Sequence, residues 1–79
     1  MESVVVYSTT FCGQCRALKN WLNSKNIDFT EVNLNNDPAA MQMFADKGWK
    51  SVPVTVINHK EVVHGFDTAA IESALKLEG

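Results

Sequence analysis

Only two cysteines occur in 79 residues, as Cys12 and Cys15. Small secreted domains that lack core are stapled by several disulfides spread along the chain, so a lone local pair argues against that class. In the chain-entropy model, closing a loop of about four residues contributes roughly 2 kcal/mol, against about 3 for fifteen residues. A staple here would do little. Positive charge is not in excess either: seven Lys and Arg stand against nine Asp and Glu, for a net charge of -2, with no basic cluster. That excludes the footprint of a nucleic-acid binder and the patch of a membrane-surface protein, so neither partner is expected. Long hydrophobic runs are also missing, since apolar stretches end after about four residues, as in Val4 to Tyr7. The start "MESVVVYS" lacks the basic n-region and apolar h-region of a secretion signal. A cytoplasmic protein is the expectation.

What is present is an ordinary globular balance, with 46% hydrophobic and 20% charged residues. A chain of this length buries a little over ~60% of its unfolded surface and forms one compact core, so a single domain over residues 1–79 is expected, acting as a monomer. No linker, repeat or low-complexity tract interrupts it.

"SVVVY" (Ser3 to Tyr7) is short, β-branched and almost free of polar residues, which suits a central strand covered on both faces. From Gly13 to Lys25 the spacing becomes helical, with Leu18, Trp21 and Leu22 on one side. "IDFTEVNL" alternates through Ile27, Phe29, Val32 and Leu34 as a second strand. Asp37 as N-cap and Pro38 at the first helical position open a second helix carrying Met41, Phe44 and Ala45, which Gly48 ends. "VPVTVI" and "EVVHGF" flank the polar link "NHK" and predict an antiparallel hairpin. Asp67 or Thr68 then caps a helix with Ile71, Ala74, Leu75 and Glu78 on one stripe. The order is βαβαββα. Two βα units give a parallel pair by right-handed crossover and the hairpin adds antiparallel strands, for an α/β fold with a four-stranded mixed sheet and three helices.

The cysteines fall at the strand-to-helix turn. Cys12 meets free backbone N–H groups and the positive end of the helix dipole, a setting that lowers a thiol's pKa from about 8.5 toward about 7 and favours the nucleophilic thiolate. Cys15 follows one turn later, and residues three apart share a helix face at disulfide reach. The pair therefore suits exchange in two steps, with Cys12 attacking a substrate disulfide and Cys15 resolving the mixed disulfide. Gly13 leaves space beside the attacking sulfur. Arg16 adds positive potential or is simply a solvated helix residue. Pro53 opens a strand where a missing donor is tolerated, and Val52-Pro53 is a candidate cis bond, although only about 5% of such bonds in folded proteins are cis. Trp21, Met41, Met43 and Phe44 are expected in the core or partly in it, and Phe11 and Trp49 on an apolar rim that selects protein partners.

These residues resemble a known family. "CGQC" between a strand and a helix, "SVP" before a hairpin and "GFD" leading into the last helix are similar to the glutaredoxin-like branch of the thioredoxin superfamily, over essentially the whole chain. "CGQC", with Gln14 before the second cysteine, and "GWKSVPV" look most like the NrdH-redoxins. The resemblance implies a thioredoxin fold and a dithiol-disulfide oxidoreductase with Cys12 as nucleophile and Cys15 as resolving thiol. It also implies a cis Val52-Pro53 facing the cysteines and pairing with an extended substrate, beside the substrate-binding positions Phe11, Gln14, Gly65, Phe66 and Asp67.

No tightly bound cofactor is implied. An NrdH-redoxin takes electrons from thioredoxin reductase and passes them to ribonucleotide reductase, whereas a true glutaredoxin uses glutathione, and both donors stay open. "VHGFDT" keeps the Gly65 and Phe66 of the NrdH type, while Phe66 replaces the second glycine of the glutaredoxin Gly-Gly-x-Asp, and "YSTT" lacks the lysine that glutaredoxins carry before the active site. Two remoter readings stand beside these. Cys12, Cys15, His59 and His64 have the spacing of a zinc site, but His59 in a hairpin link and His64 at the far end of the next strand lie too far apart. An iron-sulfur cluster bridged through Cys12 in a dimer would need glutathione as co-ligand. A pure interaction module, in turn, would usually have lost one of the two cysteines.

Overall fold

The computed structural model of the chain describes residues 3–78, and the side chains of residues 3–75. The strands are β1 (Val4–Ser8), β2 (Thr30–Asn33), β3 (Val54–Ile57) and β4 (Glu61–His64), and the helices α1 (Gly13–Ser24), α2 (Pro38–Asp46) and α3 (Thr68–Glu78), with a 3-10 turn over Leu34–Asn36 before α2. The sheet order is β2-β1-β3-β4, with β1 and β2 parallel and the other neighbours antiparallel. The unbroken apolar strand is thus central, as its pattern requires.

Alternation along the strands divides the core in two. Val4, Val6, Ile57 and Val63 face α1 and α3, where Leu18, Leu22, Ile71 and Ala74 complete one cluster. Val54 faces the other way, toward Leu34 and Phe44, with Tyr7, Trp49, Val52 and Val56 packed around them. Ile71 and Ala74 are buried and Leu75 is partly buried, so the expected stripe of α3 holds. Glu78, expected on the same stripe, lies outside the described side chains. Met41, expected in the core or partly in it, is 41% exposed.

Helix ends explain where element boundaries differ from the periodicity. After α1, Asn26 takes a positive φ of 59°. Its N–H donates to the Asn23 carbonyl and the Ile27 N–H to the Leu22 carbonyl, a Schellman motif with Asn in the left-handed position. Ile27 therefore belongs to the helix cap, and the β2 ladder starts only at Thr30, opposite Val5. Gly48 (φ 77°) does the same after α2, with Gly48 N–H on Ala45 and Trp49 N–H on Phe44. The Phe44 and Trp49 rings pack edge to face at 5.4 Å, the apolar contact that accompanies this cap. At the N-termini, Asp37 accepts from the Ala40 N–H (3.0 Å) and Asp67 from the Ala70 N–H (3.1 Å). Asn58 and His59 turn the hairpin with positive φ at both positions, as a primed turn needs.

One polar network ties α1 to the sheet edge. The Glu31 carboxylate accepts from Lys19 Nζ (2.6 Å) and from the hydroxyl of fully buried Ser8 (2.7 Å). Its pKa lies below the ordinary 4.5, because of the Lys19 hydrogen bond first and the Ser8 hydrogen bond second. A carboxyl with a depressed folded pKa adds stability above its unfolded value, and that stability disappears as pH falls through the folded value. Glu31→Gln is therefore expected to lower stability by about 1 kcal/mol or less at neutral pH, the scale of a solvent-screened pair. The difference from wild type should shrink as pH falls below 4.5 and vanish once pH has passed the depressed folded pKa. Urea titrations of both proteins from pH 7 downward check this, and a difference independent of pH would contradict it.

Candidate active site

Register brings the predicted residues to one end of the sheet. Ser8 lies opposite Asn33, Tyr7 opposite Val54, and Val54 opposite His64. The C-terminal ends of β1, β2 and β4 and the N-terminal end of β3 thus share one edge. From it emerge the cysteine loop after β1, the Val52-Pro53 entry to β3, and Gly65, Phe66 and Asp67 between β4 and α3. His64 also stands at this edge, while His59 lies in the hairpin turn at the other end of β4. The four-ligand zinc arrangement is therefore not assembled.

Cys12 is the N-cap of α1, in extended conformation (φ -147°, ψ 104°). The Cys15 N–H donates to its sulfur at 3.1 Å, and the Arg16 N–H donates to its carbonyl at 3.2 Å. The sulfur thus already occupies the place where a helix N-terminus holds negative charge. The first turn of α1 carries no acidic residue to oppose that charge. Cys12 and Cys15 form a disulfide, with Cα atoms 5.3 Å apart. The two differ in access, because Cys15 is only 1% exposed whereas Cys12 is half-buried.

The surroundings are uneven. Phe11 is 95% exposed beside Cys12, and Gln14 is exposed on the first turn of the helix. Val52-Pro53 is cis and Pro53 is buried, its carbonyl accepting from the Gly65 N–H at 2.8 Å. Gly65 takes φ 78°, a conformation that favours glycine, so this link between the β3 entry and the α3 approach depends on the absence of a side chain. Phe66 is 45% exposed, and Asp67 caps α3.

Trp49, expected on the rim, is partly buried. It is packed between Tyr7, Phe44 and His64, with ring centroids 5.4 to 6.1 Å away. It lines a groove of about 260 Å³ together with Thr9, Leu34, Met41, Phe44 and Val52. Exposed Met41 finds its place there. Sequence reasoning missed two residues at this edge, Asn33 and Asn35. Asn35 Oδ1 accepts from the Thr10 N–H at 2.8 Å, and Asn33 Nδ2 donates to the Thr10 hydroxyl at 3.4 Å. Asn33 ends β2 and Asn35 follows in the 3-10 turn, and no local sequence signal marks their contact with the cysteine loop.

A cysteine pair at the start of the helix after the first strand, at the same end of the sheet as a cis-proline, is an arrangement that comparison with known proteins can place. The family model described as Glutaredoxin matches residues 4–62. The chain belongs to the glutaredoxin family. Among relatives, the glutaredoxin-like protein NrdH of Lactococcus lactis subsp. cremoris is 35% identical over 51 residues, covering 65% of this chain and 71% of that protein. The glutaredoxin of Pseudomonas aeruginosa is 34% identical over 79 residues, covering 99% and 94%. Among solved structures, the glutaredoxin-like NrdH-redoxin from Escherichia coli superposes with a TM-score of 0.82, covering 90% of this chain and 92% of that one at 24% identity. The fold of this glutaredoxin-family chain is the thioredoxin fold, and its cysteine pair is that of a glutaredoxin-like or NrdH-like redox protein with thiol-disulfide oxidoreductase chemistry in general.

Proposed function

We propose that the chain is a dithiol electron carrier of the NrdH-redoxin kind, reduced by thioredoxin reductase and reducing a disulfide in a protein, with ribonucleotide reductase as the acceptor that the resemblance implies. Cys12 thiolate attacks one sulfur of the substrate disulfide; a Cys12-substrate bond forms, the substrate bond breaks, and the released thiolate takes a proton from solvent. Cys15 thiolate then attacks the Cys12 sulfur, the Cys12-Cys15 bond forms, and the second substrate thiolate leaves and is protonated. The substrate gains two electrons and the dithiol loses two, which the reductase restores. The half-buried Cys12 against the buried Cys15 supports this assignment of attacker and resolver.

The observation that carries the choice of reductase lies at the α3 approach. Glutaredoxins hold the γ-glutamyl end of glutathione there against a second glycine. This chain places half-exposed Phe66 at that position, and the Ala70 N–H is already taken by Asp67. The thioredoxin-like activity profile ascribed to the Escherichia coli NrdH-redoxin agrees with this reading. On the same reading residues 1–79 act as one domain, a cytoplasmic monomer without a tightly bound cofactor. The Val52-Pro53 edge, with Phe11, Gln14 and Gly65 to Asp67 around it, receives an extended substrate segment.

NADPH consumption with thioredoxin reductase in one cuvette, and with glutathione and its reductase in the other, tests the donor. Turnover with the first alone is expected. Turnover with glutathione alone would instead make this a glutathione-dependent glutaredoxin.

Phe11, 95% exposed, carries a separate expectation. Phe11→Ala should change stability by less than about 0.5 kcal/mol, leave reduction of a small disulfide intact, and raise KM several-fold for a protein disulfide. Equal KM values for both proteins would remove Phe11 from the docking surface.

A further inference from the structure

The segment Thr9 to Cys12 joins the last residue of β1 to the first of α1, and little holds its middle. Phe11 is 95% exposed and contributes no packing, and Thr10 is exposed. Among the described residues, the side chains that hydrogen-bond to this stretch come from the end of β2 and the turn after it: Asn35 Oδ1 on the Thr10 N–H (2.8 Å) and Asn33 Nδ2 on the Thr10 hydroxyl (3.4 Å). The clip has a firm base. Asn33 Oδ1 accepts from the Asn35 N–H at 2.9 Å, which caps the 3-10 turn, and Leu34 between them is 3% exposed in the core with Phe44 and Val54.

We infer that Asn35 is a positioning residue for Cys12, holding the loop so that the Cys12 sulfur stays on the Cys15 N–H once the disulfide is open. The inference rests on the reading of Cys12 as the attacking thiol. While the disulfide is closed, the covalent bond keeps the two sulfurs together whatever the loop does. In the reduced protein that bond is gone, and the sulfur keeps its 3.1 Å contact with the Cys15 amide only if the backbone of Cys12 stays near its extended conformation. Thr10 lies two residues upstream, so its anchored amide limits rotation of the intervening peptide units. A loop freed at Thr10 lets the sulfur swing off the helix terminus, and the thiolate then loses a donor that lowers its pKa. The Asn33 contact is longer and contributes less.

The test is alkylation of the reduced full chain by iodoacetamide, in which the Cys12 thiolate displaces iodide, with the rate followed from pH 5 to 9 and the site assigned by mass. For Asn35→Ala, the apparent pKa of Cys12 should rise by about half a unit to one unit, and the rate at pH 6 should fall roughly three- to tenfold, the scale of one net hydrogen bond. Thr10→Val, which keeps the amide on Asn35, should stay within about twofold of wild type. A purely structural role for Asn35 would shift the unfolding midpoint and leave the pH profile in place, and that result overturns the inference. If Asn35→Ala does not fold, hydrogen exchange at Thr10 in reduced wild type decides: slow exchange supports the clip, and exchange at the rate of a free peptide overturns it. An ordinary thiol pKa in wild type would instead show that Cys12 is not an activated nucleophile, which removes the reading together with the inference.

Discussion

Reduced protein carrying Cys15→Ser is expected to accumulate as a mixed disulfide with its substrate, while Cys12→Ser should lose turnover by at least about a thousandfold, the scale on which removing a covalent nucleophile acts. The asymmetry follows from geometry. Cys12 sits half-exposed at the start of α1 with a backbone N–H on its sulfur, the setting the proposed function requires of the thiol that reaches a disulfide in another protein. Cys15, 1% exposed, is shut off from a macromolecular substrate but sits one turn away from Cys12, with Cα atoms 5.3 Å apart. Without it, the first exchange still occurs and nothing inside the protein completes the second. Mass spectrometry of the quenched reaction distinguishes the two variants. A Cys12→Ser protein that still forms an adduct through Cys15 would reverse the assignment, and a Cys15→Ser protein that turns over at the wild-type rate without an adduct would remove the resolving role.

The largest effect on stability is expected at Leu18. It is fully buried on α1, one turn after Cys15, in the cluster with Val4, Val6, Leu22, Ile57 and Ile71. Leu18→Ala removes buried methyl groups and leaves a cavity that the central strands cannot close, which costs about 2–5 kcal/mol. A domain of this length has on the order of 4–12 kcal/mol in total, so the loss takes a large share. The Tm should fall by on the order of 10–30 °C. Because Leu18 presses the helix that carries both cysteines onto the sheet, the variant should also lose protection of the α1 amides. A fall in Tm under about 3 °C would mean that α1 is held by other contacts.

Much of this architecture was legible because strong local signals agreed with the global fold. The run Val4 to Tyr7 has no polar face and became the central strand β1. Asp37 with Pro38, and Asp67, cap the helices they were expected to cap. Gly48 ends α2 in the left-handed conformation for which glycine is suited. What was illegible is tertiary. Ile27 has the period of a strand residue, but its amide closes the α1 cap, a competition that alternation does not register. Trp49 lines the groove beside Val52, and what its place before the proline strand does not announce is that Phe44, joined to it through the α2 cap, holds its ring.

The same distinction holds at the site. The spacing of Cys12 and Cys15 is a local motif, and the structure joins them. Base rates alone left the isomer of Val52-Pro53 at trans, and only the family resemblance pointed to the observed cis form. Asn33 and Asn35 act on Thr10 across 23 and 25 positions of sequence. Nothing in "VNLNND" announces that contact, because it depends on the parallel register that sets Ser8 opposite Asn33.

The central claim is that the Cys12-Cys15 pair is a reversible two-electron couple and not a staple. Equilibrating the protein in dithiothreitol and glutathione buffers of graded potential, trapping free thiols and weighing the product by mass spectrometry measures the midpoint directly. One two-electron transition between about -270 and -120 mV, the span of thiol-disulfide oxidoreductases, is expected. A midpoint below about -300 mV, where structural disulfides lie, would contradict it.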